Sequence, residues 1–182
     1  MRQVRQDRSA VLRIVGPDES GASLDDIYRR YCRYVAAIVL RLDGRRAEVD
    51  DLVQDVFVEA ARGLQRLREP DAIKGWLATI TVRVVRHRLR LRRAQGFLGL
   101  DVRADYGELV DPTASPEDRM FIATVYRTLD RMPVADRLAF TLHNIEGEKL
   151  EVVARLCGCS PATTKRRIAR AQTTIQKRLS DE

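Results

Sequence analysis

The chain has 182 residues and a mass of 20.8 kDa, a length that fits one domain or two small ones. Hydrophobic residues make up 45% of it and charged residues 32%, a composition that excludes a simple disordered polyelectrolyte. Its 33 lysines and arginines against 26 aspartates and glutamates give a net charge of +7, which permits a polyanionic partner without proving one.

The N-terminal segment, residues 1–23, shows only weak periodicity, and glycine and proline cluster near its end. We expect a mobile extension here. Its arginines are not followed by the apolar stretch of a signal peptide, and no apolar run in the chain is long enough to cross a bilayer. The expected location is therefore the cytoplasm, with no membrane insertion.

Residues 24–95 are predicted to form a first helical domain. Apolar residues recur at spacings of three and four, the period of a helix with one buried face, and no strand-like alternation persists. The pattern predicts three helices, with approximate bounds Leu24 to Leu42, Glu48 to Leu67 and Pro70 to Arg93.

The second of these helices carries an acidic face. Asp51 and Asp55 are four residues apart and so lie on one side of the helix, with Gln54 and Phe57 close by. The sequence places no third ligand beside the two carboxylates, so we expect no metal site. Carboxylates and an amide beside an apolar edge instead suit docking on a basic protein partner, and a solvated acidic face is the plain alternative.

The third helix carries the densest cationic block of the chain, six arginines with no acidic residue among them. They are Arg83, Arg86, Arg88, Arg90, Arg92 and Arg93. Crowded like charges destabilise a helix, and binding to phosphates would relieve that repulsion; a solvated basic face is the plain alternative. Trp76, upstream on the same helix, suits either the core or a platform on which an unpaired base stacks.

Residues 96–114 are predicted to be a flexible acidic linker, because glycine and proline interrupt them and no helical period persists. Residues 97–119 carry a net charge of −4, between basic blocks of +6 at residues 24–96 and +4 at residues 120–182. A connection of about twenty residues is long for one compact domain, so we expect two domains.

Residues 115–182 are predicted to form the second helical domain. Ser115 and Ser160 each precede a proline, the arrangement of an N-cap followed by the first residue of a helix. We expect four helices, with approximate bounds Pro116 to Arg131, Pro133 to Asn144, Leu150 to Cys157 and Pro161 to Leu179. Since no βαβ unit and no glycine-rich phosphate loop is visible, the predicted fold class is all-α.

The last two helices have the spacing of a helix-turn-helix, with a short helix, a turn at Gly158 and a capped basic helix. Such a helix fits the major groove of B-DNA, where arginine and lysine donate to guanine and threonine reaches phosphates or thymine methyl groups. A basic solvated helix in a plain helical hairpin is the alternative. The candidate DNA-binding residues are Ser160, Thr163, Thr164, Lys165, Arg166, Arg167 and Arg170.

The sequence offers no catalytic, metal or disulfide site. Three cysteines are too few for a disulfide framework, and Cys157 and Cys159 lack the further ligands of a zinc site, because His87 and His143 are the only histidines. We expect free, buried or neutral cysteines and no cofactor. An enzyme is the least favoured class, since no nucleophile–base pair is visible.

Taken together and in this order, the motifs resemble an extracytoplasmic-function (ECF) sigma factor, an initiation subunit of bacterial RNA polymerase. The stretch from Asp51 to Phe57 is similar to the family's motif that docks on the β′ clamp helices. Trp76-Leu77-x-x-Ile80 is similar to the start of the helix that opens the −10 element. The segments that resemble region four, which reads the −35 element, are Arg131-Met-Pro133, Glu146-Gly147 and Val153 to Ala171.

The resemblance implies the partners and the site residues. Region 2 would be residues 24–95 and region 4 residues 115–182. The partners would be core polymerase, through its β′ and β subunits, and promoter DNA, with a cognate anti-sigma protein as a candidate regulator. The residues that would bind core polymerase are Asp51, Gln54, Asp55 and Phe57. Those that would hold the −10 element are Trp76, Arg83, Arg86, His87, Arg90 and Arg93, and the helix-turn-helix residues above would read the −35 element.

The chain departs from the family pattern after the −10 motif. The family usually has Ala, Asn and Asp where this chain has Thr81, Arg83 and His87, so two positions associated with −10 recognition are basic here. The docking and melting roles carry over from the resemblance, whereas the identity of the −10 bases does not. Lys149 stands where the usual serine would cap the first helix of the helix-turn-helix.

Two other classes of protein stay open from the residues. A transcription regulator that binds duplex DNA by itself would use its N-terminal helices for dimerisation or ligand sensing, and it predicts tight operator binding without polymerase. A basic adaptor that docks on acidic protein or membrane surfaces predicts no DNA sequence preference, and it leaves the capped basic helix unexplained.

Overall fold

The computed structural model describes residues 23–66, 72–97, 106, 109 and 113–181. Within this part of the chain the structure consists of helices and connecting turns, with no strand. The predicted all-α class is confirmed. The helices are α1 (Leu24–Asp43), α2 (Val49–Gly63), α3 (Ile73–Phe97), α4 (Pro116–Arg131), α5 (Val134–Phe140), α6 (Leu150–Cys157) and α7 (Pro161–Ser180).

Two of the predicted helices do not end in regular α-helical turns: one ends in a tighter 3₁₀ turn and the other in a wider π-helical turn. A 3₁₀ turn, Leu64–Arg66, follows α2, and a π-helical turn, Thr141–Ile145, follows α5. The wide turn is closed by the Glu146 amide, which donates to the Thr141 carbonyl five residues back at 3.0 Å. The predicted N-terminal extension and most of the predicted linker lie outside the described residues.

The predicted helix starts in the second domain have the expected serine caps. The Ser115 hydroxyl accepts the Asp118 amide at 3.0 Å, and the Ser160 hydroxyl accepts the Thr163 amide at 3.2 Å. Each cap satisfies an amide that has no partner inside its helix. Gly158 ends α6 with φ 64°, a left-handed conformation that glycine adopts without steric cost.

The first domain is a bundle of α1, α2 and α3, which pack on one another in all three pairs. Its interior is aliphatic, and such a core is sensitive to truncation because each lost side chain leaves a cavity. The most deeply buried members of this core are Val35, Val39, Leu42, Leu52, Val56, Leu77, Val82 and Val85.

The second domain contains α4 to α7, in which α5 and α6 both pack on α7. Part of its interior forms a separate cluster, whose buried members are Tyr106, Ala123, Tyr126, Leu129, Met132, Ala171 and Ile175. Tyr106 belongs to the predicted linker, so one linker residue is packed inside the fold.

The cores of the two domains are continuous. Leu138, Leu142, Val153, Leu156 and Ile168 of the second domain pack in the same buried cluster as the interior of the first. The contact runs through α3, which touches both α5 and α6. The sequence predicted two domains, but nothing in it indicated that they would pack on each other, because that contact joins residues far apart in the chain.

Candidate nucleic-acid and protein interfaces

The acidic face of α2 is presented to solvent, with Asp51, Gln54 and Asp55 all exposed. Phe57, predicted to belong to this face, lies in the core instead, and its ring packs edge-on against Tyr28 at a centroid distance of 4.8 Å. Phe57 therefore lies in the core beneath the acidic face and is not part of its exposed surface. The i+3 and i+4 spacing on a helix explains the burial, since Phe57 follows the buried Val53 by four residues.

Two exposed apolar residues border this acidic face and were missed by the sequence reasoning. Val58 is 44% exposed and follows Gln54 by four residues on α2, and Tyr28 of α1 is 46% exposed beside Phe57. Helical spacing could have identified Val58. Tyr28 could not have been found that way, because it comes from a different helix.

Trp76 is half-buried and packs against the core of the first domain. A Cβ atom added to Gly63 would lie 3.0 Å from Cζ2 of the indole, so the ring lies directly against the end of α2. The structure thus gives Trp76 a packing role and leaves part of the residue exposed.

The arginine block of α3 is not a uniform free cationic face. Arg90 and the neighbouring His87 are exposed. Three members of the block form ion pairs with carboxylates of the first domain, and these pairs are Arg83 with Glu59, Arg88 with Glu48, and Arg92 with Asp43. The acids lie on other helical segments, so the sequence around the block gave no sign of them.

Two further arginines of the block donate to the second domain. Arg86 donates to the carbonyl oxygen of Leu156 at 3.3 Å, and Arg93 donates to that of Met132 at 2.5 Å. Both had been predicted to hold the −10 element. In this arrangement their guanidinium groups are engaged with protein carbonyls.

The basic helix α7 presents Lys165 and Arg166 to solvent. Thr164 is fully buried, and its hydroxyl lies 3.2 Å from the Cys159 sulfur and donates to the Ser160 carbonyl. The structure therefore places Thr164 where it holds the turn together, and not on the outer face with the other predicted DNA-binding residues.

Two more arginines of α7 are positioned by neighbours in the helix-turn-helix. Arg167 is half-buried and donates to the Cys159 sulfur at 3.2 Å. Arg170 is largely exposed and pairs with the buried Asp136 of α5 at 2.8 Å. Asp136 was missed by the sequence reasoning, because its link to Arg170 spans more than thirty residues of chain.

The cysteines of the described part of the chain are all free. Cys157 is buried, and burial raises the pKa of its thiol. Cys159 is half-buried in the turn. Among the described residues no group of three or more His, Cys, Asp or Glu side chains could hold a metal ion.

Side chains of the second domain cap the carboxyl end of α1. The Tyr126 hydroxyl donates to the Arg41 carbonyl at 2.9 Å, and the Arg137 guanidinium donates to the carbonyls of Leu42 at 3.2 Å and Asp43 at 2.7 Å. The last carbonyls of a helix have no partner within it, and the helix dipole favours a cation there. The second domain therefore supplies the hydrogen-bond donors that the last carbonyls of α1 lack.

Gly44 makes this close approach feasible. Its φ of 75° is in the left-handed region, and an added Cβ atom would lie 2.6 Å from Cδ1 of Tyr126 and 3.1 Å from Cε1 of Tyr106. The two tyrosine rings stack at a centroid distance of 5.6 Å, and the Tyr106 hydroxyl bonds to the Asp130 carboxylate. The linker is thereby tied to the contact between the domains.

Burial at this contact raises the pKa of Tyr126 to about 12, an effect that Arg137 and Arg41 oppose and Glu146 reinforces. Burial also raises the pKa of Asp43, although Arg92 and Arg137 partly offset it. The ion pair of Asp43 with Arg92 thus compensates a desolvated carboxylate and is not a simple surface attraction.

Tyr126→Phe is expected to change how stability depends on alkaline pH. Between pH 10 and about 12 the unfolded wild-type chain releases the Tyr126 proton while the folded chain keeps it, so this contribution is lost as pH rises, in total about 3 kcal/mol. At pH 9 the variant should be less stable by about 1 kcal/mol, because it lacks one hydrogen bond. Urea unfolding of both proteins from pH 9 to 11.5 should show this gap closing at about pH 10.7 and the variant becoming the more stable protein above that pH; a constant gap would contradict the raised pKa.

Comparisons with known proteins match both domains. Sigma-70 region 2 matches residues 27–95, and Sigma-70, region 4 matches residues 122–175. The ECF RNA polymerase sigma factor SigM of Mycobacterium tuberculosis is 32% identical over 158 residues, which cover 86% of this chain and 77% of SigM. The ECF RNA polymerase sigma-E factor of Escherichia coli K12 is 28% identical over 183 residues, covering 95% and 94% of the two chains.

Two solved structures share the fold. The sigma factor RpoE of Bartonella quintana, in complex with the anti-sigma factor NepR, has a TM-score of 0.63 at 23% identity, covering 86% of this chain and 96% of RpoE. CnrH, in complex with the cytosolic domain of CnrY, has a TM-score of 0.59 at 23% identity, covering 87% and 88%. At this identity the likeness shows the fold alone.

An acidic helix face, an arginine-bearing helix and a capped basic helix lie on domains that match regions 2 and 4, and these matches define a sigma factor. Within that class the chain belongs to the extracytoplasmic-function family. It is an alternative sigma factor that acts with RNA polymerase on promoter DNA to direct transcription initiation. The comparisons do not favour a stand-alone regulator. Among the described residues no helix is both long and apolar enough to cross a membrane.

Proposed function

We propose that this chain divides promoter recognition between its two domains. Residues 24–95 dock on core polymerase and hold the −10 element, residues 115–182 read the −35 element, and residues 96–114 connect them. The chain lends promoter specificity to the polymerase and performs no catalysis of its own. It acts in the cytoplasm, where bacterial polymerase meets its template.

The docking surface on core polymerase is the acidic face of α2. Asp51, Gln54 and Asp55 offer charge and hydrogen-bond acceptors, and the exposed Tyr28 and Val58 beside them offer apolar contact area. A charged rim around a small apolar patch combines electrostatic steering with desolvated contacts, which suits a specific partner of basic character.

The −10 element is held along α3 by residues that the first domain leaves accessible. Arg90 and His87 are exposed, and the exposed Arg83 pairs with the partly exposed Glu59. An ion pair of this kind is weak in water, so a phosphate can replace the carboxylate at little cost. The exposed part of Trp76 is available to stack on an unpaired base.

The observation that carries the proposal is the geometry of α7. Its first turn is capped by Ser160, and Lys165 and Arg166 point outward just beyond that cap, so a bare cationic surface faces solvent at the amino end of the helix. Residues near the amino end of a recognition helix contact base edges in the major groove. Thr163, half-exposed one turn earlier, is placed to reach a phosphate.

Run-off transcription with purified core polymerase and a promoter library tests this proposal. We expect discrete start sites that need both the chain and core polymerase, each preceded by a shared −35 and −10 sequence. Tight binding of the chain alone to a duplex operator, with no start site on addition of core polymerase, would instead support a stand-alone regulator.

A further inference from the structure

We propose that the cleft between α3 and the turn joining α4 to α5 binds a small phosphorylated ligand of the nucleoside diphosphate class. The cleft has a volume of about 320 Å³, and small-molecule sites begin at about 300 Å³. The described residues that line it belong to both domains, and none of them lies on α2 or α7. The inference therefore goes beyond polymerase and promoter binding and does not depend on either.

The cleft has a cationic wall. Its described lining residues include five arginines and a single carboxylate, that of Asp130. Arginine is the side chain best suited to phosphate, because its planar guanidinium donates two parallel hydrogen bonds to two phosphate oxygens. An excess of arginine around one cavity therefore favours a phosphorylated ligand. The lining arginines are Arg45, Arg92, Arg93, Arg131 and Arg137.

Shared partners hold three of these arginines close together. The Asp130 carboxylate bonds to Arg137 and lies 3.7 Å from Nη2 of Arg45. Arg92 and Arg137 both bond to Asp43, the first to its carboxylate at 2.9 Å and the second to its carbonyl at 2.7 Å. The three guanidinium groups are thus tied to one another and cannot move apart to relieve their mutual repulsion.

The same three guanidinium groups are poorly hydrated. The side chains of Arg45, Arg92 and Arg137 are 12%, 11% and 2% exposed. A cluster of cations attracts an anion more strongly where water is largely excluded, because the effective dielectric constant there is lower than that of water. The buried arginines therefore strengthen the attraction of the cleft for a ligand with several negative charges.

The other two arginines are exposed and can bond the phosphate groups directly. They are Arg93 on α3 and Arg131 at the end of α4. Arg93 donates to the Met132 carbonyl through Nη1, and a guanidinium carries five N–H donors, so the remaining donors can bond phosphate oxygens without breaking that contact. Because the two arginines come from different domains, a diphosphate in the cleft contacts both domains.

Apolar side chains form another part of the lining. An inorganic anion gains nothing from such a surface, whereas the nucleoside part of a nucleotide buries apolar area against it, and mixed linings of this kind are typical of small-molecule sites. A DNA duplex fits less well, because its phosphates lie on its outside and three of the five arginines are largely buried. The apolar lining residues are Leu89, Leu129, Met132 and Val134.

Isothermal titration calorimetry of the full-length protein, without polymerase or DNA, tests the site. The probes are ADP and GDP, and adenosine and inorganic pyrophosphate each carry one part of such a ligand. We expect one nucleotide per chain, no detectable binding of adenosine, and at least about 5-fold weaker binding of pyrophosphate, because it buries no apolar area. Absence of binding by both nucleotides at about 1 mM, or equal affinities for pyrophosphate and ADP, would overturn the proposal.

Arg131→Gln places the site in this cleft, with Arg127→Gln as its matched control. Both arginines are exposed on α4, one helical turn apart, and only Arg131 lines the cleft. We expect Arg131→Gln to weaken ADP binding on the order of 10-fold, the effect of losing a hydrogen bond between charged groups. Arg127→Gln removes the same charge and should leave ADP binding unchanged.

A second pair of variants tests the contribution of the first domain. Arg93→Gln should weaken ADP binding by a similar factor, and Arg90→Gln, an exposed arginine of α3 that is not among the lining residues, should not. Equal losses within both pairs would overturn the proposal, since they would show a general attraction of ADP to a basic protein. These measurements contain no polymerase, so their outcome is independent of whether the chain directs transcription.

Discussion

Reversing the charges of Asp51 and Asp55 together, as Asp51→Arg with Asp55→Arg, is expected to weaken binding to core polymerase by at least about 2 kcal/mol, roughly 30-fold. Both carboxylates are exposed on one face of α2, next to the apolar Val58. Against a basic partner the change replaces attraction by repulsion at the centre of the contact. Removal of one partner of a charge pair already costs about 2 kcal/mol or more, so this figure is a lower bound for the cost of charge reversal.

Fold stability should change little, because neither carboxylate is buried. The cost expected within α2 is the loss of an acid from its first turn, about 0.3–1 kcal/mol. Glu117→Arg is the control, since Glu117 is an exposed acid in the first turn of α4, and its replacement makes the charge change of one of the two reversals in the other domain.

Binding to fluorescently labelled core polymerase measures the effect, alongside thermal unfolding followed by circular dichroism. The prediction requires weak binding of the double variant with a nearly normal unfolding temperature, and normal binding of Glu117→Arg. Core affinity that is unchanged in the double variant would remove α2 from the docking surface.

Arg166→Ala is the second large prediction, a loss of about 1–3 kcal/mol, roughly 5- to 150-fold, in transcription that depends on the −35 element. Arg166 is exposed on α7 within two turns of the Ser160 cap, where a recognition helix meets base edges. An arginine that bonds a guanine edge with two donors contributes a discrimination of this size.

The loss should be specific to sequence and not only to charge. With Arg166→Ala, wild-type and scrambled −35 elements should give similar transcription, because the base contact that distinguishes them is gone. Lys177→Ala removes one exposed charge from the far end of the same helix and should leave the discrimination between the two promoters intact. Equal discrimination by Arg166→Ala and wild type would show that this side chain does not read the −35 element.

Arg167 shows why the choice of residue needs the structure. The sequence places Arg166 and Arg167 side by side as equivalent donors, but Arg167 is half-buried and donates to the Cys159 sulfur. Its removal would disturb the turn of the helix-turn-helix as well as any DNA contact. Arg166 offers the cleaner test, because its side chain faces solvent.

Much of the fold was predictable from local chemistry. The apolar period of three and four gave the helices, and the Ser-Pro pairs at Ser115 and Ser160 gave two helix starts that the caps confirm. Gly158 marked the end of α6. These features are local, since an N-cap, a first-turn proline and a left-handed glycine act within a few residues of the chain.

The candidate sites were predictable only in part. Asp51, Asp55, Lys165 and Arg166 are exposed on the expected helices. Thr164 lies inside the fold, although it shares the motif with them. Helical spacing shows which residues share a face, but which face is covered depends on the neighbouring helices that pack against it.

Local sequence was therefore enough to predict the helices, the serine caps of the second domain and the family to which the chain belongs. Local sequence did not show which acceptors bind the arginines of the α3 block. Arg92 pairs with Asp43, and Arg93 donates to the Met132 carbonyl, at sequence separations of 49 and 39 residues. The reason is physical: an arginine bonds to whichever acceptors the folded chain brings to it. Asp43 lies on α1 of the same domain and Met132 lies in the second domain, so both come near α3 only in the tertiary structure.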